Sequence, residues 1–194
     1  MKHINKKWVL QTVKKIEVMR SLVNCFFRCC NFVTYRLSEM IYNAIFQLNC
    51  WRFGIVIGSG VKTHKACPIL RISRNNARVL LGNNVVFNNY LNVAWNTRSI
   101  IEVGPNAILK MGDSSGISGG LIYCVNKIMI GCNVNIGGGT RIYDSNFHSL
   151  NWEDRRYYAN DRANTKTAPV IIDDDVFIGT NCIIGKGYEE KALS

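Results

Sequence analysis

Glycine is missing from the first 53 residues, paired CxxC spacing is missing throughout, and acidic residues number 13 against 24 Lys and Arg. Each shortage excludes something. Without glycine, residues 1–53 cannot contain the tight repeated bends that the rest of the chain is rich in. Without CxxC pairs, the eight cysteines do not form a zinc or dithiol framework, and free thiols in a reducing cytoplasm are expected. An uninterrupted apolar centre is also missing from the N-terminus, which argues against a signal peptide. The charge of +11 invites a nucleic-acid partner, yet no recognition motif accompanies it, so no nucleic acid is expected.

The basic residues are concentrated instead. Residues 1–54 hold nine (Lys2, Lys6, Lys7, Lys14, Lys15, Arg20, Arg28, Arg36, Arg52) against Glu17 and Glu39. They alternate with large apolar residues on a helical period, from Val9 and Val13 to Ile45 and Leu48, which predicts one or two amphipathic helices. Arg28 and Arg36 break the ~20 apolar residues a bilayer span needs. Two fates remain for this segment: peripheral contact with an anionic membrane surface, or packing as a lid on the open edge of the domain that follows.

From Gly54 the composition turns β-rich. The clearest stretch reads in sixes: Ile130-Gly131-Cys132-Asn133-Val134-Asn135, then Ile136-Gly137-Gly138-Gly139-Thr140-Arg141, then Ile142-Tyr143-Asp144-Ser145-Asn146-Phe147. After an interruption the frame resumes at Ile172, Ile178 and Ile184. Val134, Thr140, Val176 and Cys182 stand four places after an opener. A period of six is neither helical nor simple alternation, so it predicts a coil of three short faces per turn, openers inward. Leu81 to Phe87, with Val93 and corner Leu91 following, and Val103 to Ala107 repeat the pattern earlier. The frame slips between these blocks, which predicts bulges or loops. The chain divides into a helical segment, 1–53, and a repeat domain, 54–194, with an inserted loop over 147–169.

Ile136 to Ser149 (IGGGTRIYDSNFHS) and Ala168 to Asn181 (APVIIDDDVFIGTN) resemble the hexapeptide-repeat acyltransferases, in particular the sugar O-acetyltransferases of bacterial surface-polysaccharide synthesis. The resemblance implies a mainly β fold, a left-handed parallel β-helix, acting as a homotrimer. It implies an acetyl-CoA-dependent transfer of an acetyl group to a saccharide hydroxyl, with no metal. His148 stands where that family places its general base, and the chain has only two other histidines, His3 and His64. Asp144 either orients His148 or bonds backbone amides at a turn. Ser118 is the polar candidate on the facing coil. Trp152, Arg155 and Arg156, in the inserted loop, are candidates for holding the acceptor. Backbone of Ile178, Gly179, Thr180 and Asn181 would line the cofactor groove, and N–H groups near Gly179 or Ser118 would face the oxyanion.

Relatives of this kind continue with one or two further coils beyond the point where this chain reads Ile184-Gly185-Lys186-Gly187 and then Tyr188 to Ser194. The expectation from that departure is a shortened cofactor channel, or a charged tail that caps the column. Three functions therefore stand side by side: the O-acetyltransferase, a catalytically inactive trimeric scaffold, and a binder of anionic membrane or nucleic acid through the basic N-terminus. A cytoplasmic location is expected, with contact at the inner membrane face if residues 1–53 take the first of their two fates.

Overall fold

The computed structural model describes residues 6–89, 97–187 and 189–190, with side chains from Lys14 to Gly187. The expected opener Val93 and corner Leu91 lie outside the described residues, as do His3 and, apart from the backbone of 189–190, the charged tail. Two compact units are present, Met1–Met40 and Ile41–Ser194. One helix, α1 (Lys6–Phe53), runs through the first and into the second.

Composition marks the end of α1. Gly54 takes a left-handed φ of 66°, its N–H donates to Trp51 O at 3.1 Å, and Ile55 N–H reaches back to Cys50 O at 2.9 Å. This paired closure satisfies the last carbonyls, and a residue with a Cβ would be strained at its centre. The change in packing comes earlier, between Met40 and Ile41. Within the second unit, the last turns of α1 cover the open end of the stack: Phe46 is buried with its ring 5.4 Å from that of Phe87, in the second coil. Asn43 donates to Thr63 O at 3.0 Å and accepts from Thr63 N–H at 2.9 Å. Its side-chain amide thus stands in for the neighbouring strand that Thr63 lacks.

The rest of the second unit is a stack of coils with three parallel faces. The first face orders β1 (Val56–Ile57), β4 (Arg78–Leu81), β7 (Ile108–Met111), β10 (Lys127–Ile130), β13 (Val170–Ile172) and β16 (Glu189–Glu190). The second orders β2 (Lys62–His64), β5 (Val86–Asn88), β8 (Gly116–Ser118), β11 (Asn135–Ile136) and β14 (Phe177–Ile178). The third orders β3 (Ile69–Ile72), β6 (Ile100–Val103), β9 (Leu121–Cys124), β12 (Arg141–Tyr143) and β15 (Ile183–Ile184). This is a mainly β, parallel β-helix-like fold. Each strand from β1 to β13 pairs with the strand three places on, so each coil from β1 to β15 contributes one strand to each face.

The hexad openers form the core. Ile130, Ile136, Ile142, Ile172, Ile178 and Ile184 are all buried, as are the corner residues Val134, Thr140 and Val176. Burying each such aliphatic contributes about 1.5–3 kcal/mol. The frame slips because the first and third faces carry strands of four residues with two inward positions, such as Val79 with Leu81 and Ile101 with Val103. The corner from the third face back to the first takes additional residues at 104–107 and 125–126.

Close stacking explains the glycine after so many openers. A Cβ built on Gly112 would stand 2.6 Å from the carbonyl carbon of Gly131, so backbone alone fits at that corner. Asn84, Asn106, Asn133 and Asn181 take φ between 55° and 59° at the turns, a conformation that asparagine tolerates better than most residues.

Ile142 stands in the third-face column, fully buried between Ile122 and Ile184. Replacing it with Ala should lower the unfolding free energy by about 2–5 kcal/mol in denaturant titration without changing the circular dichroism of the native state.

Candidate active site

The site begins where the chain leaves the stack. Tyr143 pairs with Tyr123, so the next residue, Asp144, continues the inward row occupied below it by Ile72, Val103 and Cys124. Asp144 is fully buried, and its carboxylate accepts Val125 N–H at 2.8 Å and Asn126 N–H at 2.7 Å. It therefore clamps the corner of the coil beneath. Burial, and then the Asp144 carboxylate beside it, push the Cys124 thiol well above its ordinary range. Of the two roles open to Asp144, the structure gives it backbone amides at a turn and not the imidazole of His148.

The two ends of the inserted loop are joined at this point. Ala168 N–H donates to Asp144 O at 3.1 Å, Asn146 N–H to Lys166 O at 3.1 Å, and Ser145 bridges Thr167 in antiparallel fashion. Phe147, at φ 63°, places its ring 4.8 Å from Tyr123 and 5.1 Å from Tyr143. The loop base is thus anchored by three aromatic rings and a short ladder, and His148 follows directly.

His148 is held by a residue that sequence reasoning missed. Its Nδ1 lies 2.6 Å from Asp161 Oδ2, while the other carboxylate oxygen accepts Ser149 N–H at 2.7 Å. Asp161 sits on the short helix α2 (Tyr158–Asn164) and is buried, whereas the His148 side chain is 68 % exposed. The hydrogen bond from His148, followed by that from Ser149, holds the Asp161 carboxyl below the usual carboxylate range. A carboxylate only accepts, so a neutral His148 carries its proton on Nδ1 and offers the lone pair of Nε2 outward. Asp161 lies in a loop with no repeat frame, thirteen residues after His148, and nothing in residue spacing singles it out from Glu153, Asp154 or Asp173.

Other loop residues support this pair. Arg155 donates from Nη1 to Ser149 O at 2.7 Å, and Ser149 Oγ donates to Asp154 Oδ2 at 2.8 Å. Arg155, expected to bind substrate, therefore braces the residue after His148. The Arg156 guanidinium lies over the Trp152 ring, 4.2 Å from its centre. Trp152, Tyr157 and Tyr158 are exposed on the same loop.

Ser118 and Ile178 to Asn181 are elsewhere. Both sit at the corner between the second and third faces, while His148 leaves at the corner between the third and the first. Ile178 turns inward as core; Asn181 shapes the turn with φ 56°, and its N–H donates to Gly138 O at 2.9 Å. Gly179 O accepts Thr140 Oγ1 at 2.9 Å, and its N–H has no acceptor among the described residues. Ser118 makes no side-chain hydrogen bond among the described residues. One chain thus brings His148, Ser149, Arg155 and Asp161 together, and holds Ser118 with Gly179 at a separate corner.

Among the described residues, no three His, Cys, Asp or Glu side chains group as metal ligands. Comparison with protein-family models, curated proteins and solved structures finds no match to this chain.

Two outcomes separate the aspartates. Asp144→Ala should cost about 2–4 kcal/mol of unfolding free energy, since it strips two buried amides of a charged acceptor. Asp161 is different, because its folded pKa lies below the unfolded value of ~3.9. Its contribution is complete above about pH 4 and is lost as pH falls through the lower folded value. Protection of the Ser149 amide, measured as exchange relative to the unstructured rate at the same pH, should therefore hold down to about pH 4 and decline below it, and Asp161→Asn should lower it at neutral pH.

Proposed function

We propose that the protein transfers an acetyl group from acetyl-CoA to a hydroxyl of a saccharide, with His148 as general base. The observation that carries this reading is the 2.6 Å contact of His148 Nδ1 with buried Asp161, which leaves Nε2 basic, exposed and fixed in direction on an anchored loop. The motif resemblance to the hexapeptide-repeat sugar O-acetyltransferases supports the same chemistry from the sequence side.

An alcohol is a weak nucleophile at neutral pH because its proton is held too tightly. His148 Nε2 would take that proton as the hydroxyl oxygen attacks, and the carboxylate of Asp161 would stabilise the resulting imidazolium. The same nitrogen would then return the proton to the departing thiolate. Acetyl-CoA supplies the activated thioester. The edge at Gly179 suits its extended, amide-bearing arm: among the described residues the N–H there has no acceptor, and where a Cβ would stand none of them lies closer than Cys182 Sγ at 3.8 Å. The exposed rings of Trp152, Tyr157 and Tyr158 suit a sugar ring, with Arg156 already stacked on Trp152.

On this reading the coils wind left-handed and three copies assemble, as in the resembled family. The separation of His148 from Gly179 by one corner supports that assembly, since a neighbouring copy can set its Gly179 corner beside the first copy's His148. Use of acetyl-CoA places the reaction in the cytoplasm.

Calorimetric titration with acetyl-CoA should give saturable binding, and thiol release in the presence of an acceptor saccharide should follow. His148→Ala should reduce turnover by about 10²–10⁴-fold with binding retained, and Asp161→Asn should reduce it less. An unchanged rate in His148→Ala rules out this base.

A further inference from the structure

The first unit presents an apolar surface that the catalytic reading does not use. Along α1, Ile16, Met19, Val23 and Phe26 recur at alternating steps of three and four, and Cys30, Val33, Leu37 and Met40 continue the row. Leu22 and Phe27 widen it on either side. At 3.6 residues per turn these side chains fill an arc of roughly 140°. None is covered: Leu22 is 65 %, Phe26 64 % and Met40 70 % exposed.

Such a row suits either a second helix or an interface between lipid and water, and charge decides between them. Residues 14–40 carry five cations (Lys14, Lys15, Arg20, Arg28, Arg36) and two anions, Glu17 and Glu39. Arg20 borders one edge of the apolar arc and Arg36 the other, while Lys15 lies within it. Both glutamates project from the opposite side of the helix. In a coiled coil of like chains, the positions flanking the seam would be Lys15, Leu22, Cys29 and Arg36 on one side and Arg20, Phe27, Thr34 and Ile41 on the other. No acid stands among them, and a parallel partner would set Lys15 against Arg20. An anionic surface meets the same three cations with attraction. The arc is also wider than the two-row seam of a coiled coil.

We infer that residues 14–40 of α1 lie in the plane of an anionic lipid surface, with the row from Ile16 to Met40 in the acyl boundary and Arg20 and Arg36 reaching the headgroups. The helix rests on the surface and does not cross it: no helix among the described residues is long and apolar enough to span a membrane. Lysine and arginine stems extend from an apolar stripe to phosphate without leaving it, which suits Lys15 inside the arc. This inference is independent of the acetyl-transfer chemistry and stands whether or not His148 is a base.

The test is flotation of the full chain with vesicles of phosphatidylcholine alone and of phosphatidylcholine mixed with phosphatidylglycerol. Binding to the mixed vesicles should exceed binding to the neutral ones at least tenfold and should fall as salt rises. Phe26→Glu, and separately Arg20→Glu with Arg36→Glu, should each weaken it by about tenfold or more while the thermal unfolding of the β unit is unchanged. Equal binding to both vesicles overturns the inference, and so does binding to neither. If neither binds and Phe26→Glu lowers the sedimentation mass, the face belongs to a second copy of the chain. Should a variant fail to fold, the comparison of neutral with anionic vesicles for the unaltered chain still decides.

Discussion

Backbone of one coil lying directly on backbone of the next is the constraint on which this protein depends. At the corner carrying Gly58, Gly82, Gly112 and Gly131, the coils approach so closely that a Cβ on any of these residues would come within 3 Å of the coil above. That approach lets each N–H reach a carbonyl in the adjacent coil, as in Gly112 N to Ile130 O at 2.8 Å and Gly131 N to Ile172 O at 2.8 Å. It also brings inward aliphatics into continuous columns. Neither ladder nor column is satisfied within one coil, so stability grows by stacking.

The repeat fixes the faces of such a stack, so departures from it enter at corners, and the functional candidates lie at corners. The exit at Asp144 shows how the transition is made. A carboxylate takes the place of an aliphatic in the third-face row, binds two amides of the coil below, and so closes the lower coil while releasing the chain outward. The loop then closes on itself through the 145–167 bridge and Phe147, and only beyond that anchor does His148 meet Asp161. A histidine mounted this way keeps its direction because the loop's freedom is spent before it is reached.

The helix α1 serves two physical ends along one sequence. Its last turns, from Ile41, join the β unit, with Phe46 buried and Asn43 completing the edge at Thr63. Its earlier turns leave their apolar row uncovered. Of the two fates that composition left open for residues 1–53, packing over the open edge is realised by 41–53, and the apolar row left uncovered lies within 14–40.

Much of the fold was legible in residue order because the repeat is a local rule. Ile130, Ile136, Ile142, Ile172, Ile178 and Ile184 declare their burial by spacing alone, and Gly54 marks the end of the helix because a left-handed closure favours glycine there. His148 stood out by its place in a motif. Tertiary structure decided the rest, because it depends on contacts between residues that no period relates. Asp161 reaches His148 only when a frameless loop folds over, and Asp144 reaches Val125 and Asn126 only because coils stack. Arg155 looks like a free cation in sequence, yet the fold uses it on Ser149 O. Periodicity determined which side chains face inward; the pairing of loop residues, and the corner at which each functional group emerges, were settled by how the coils and the loop pack.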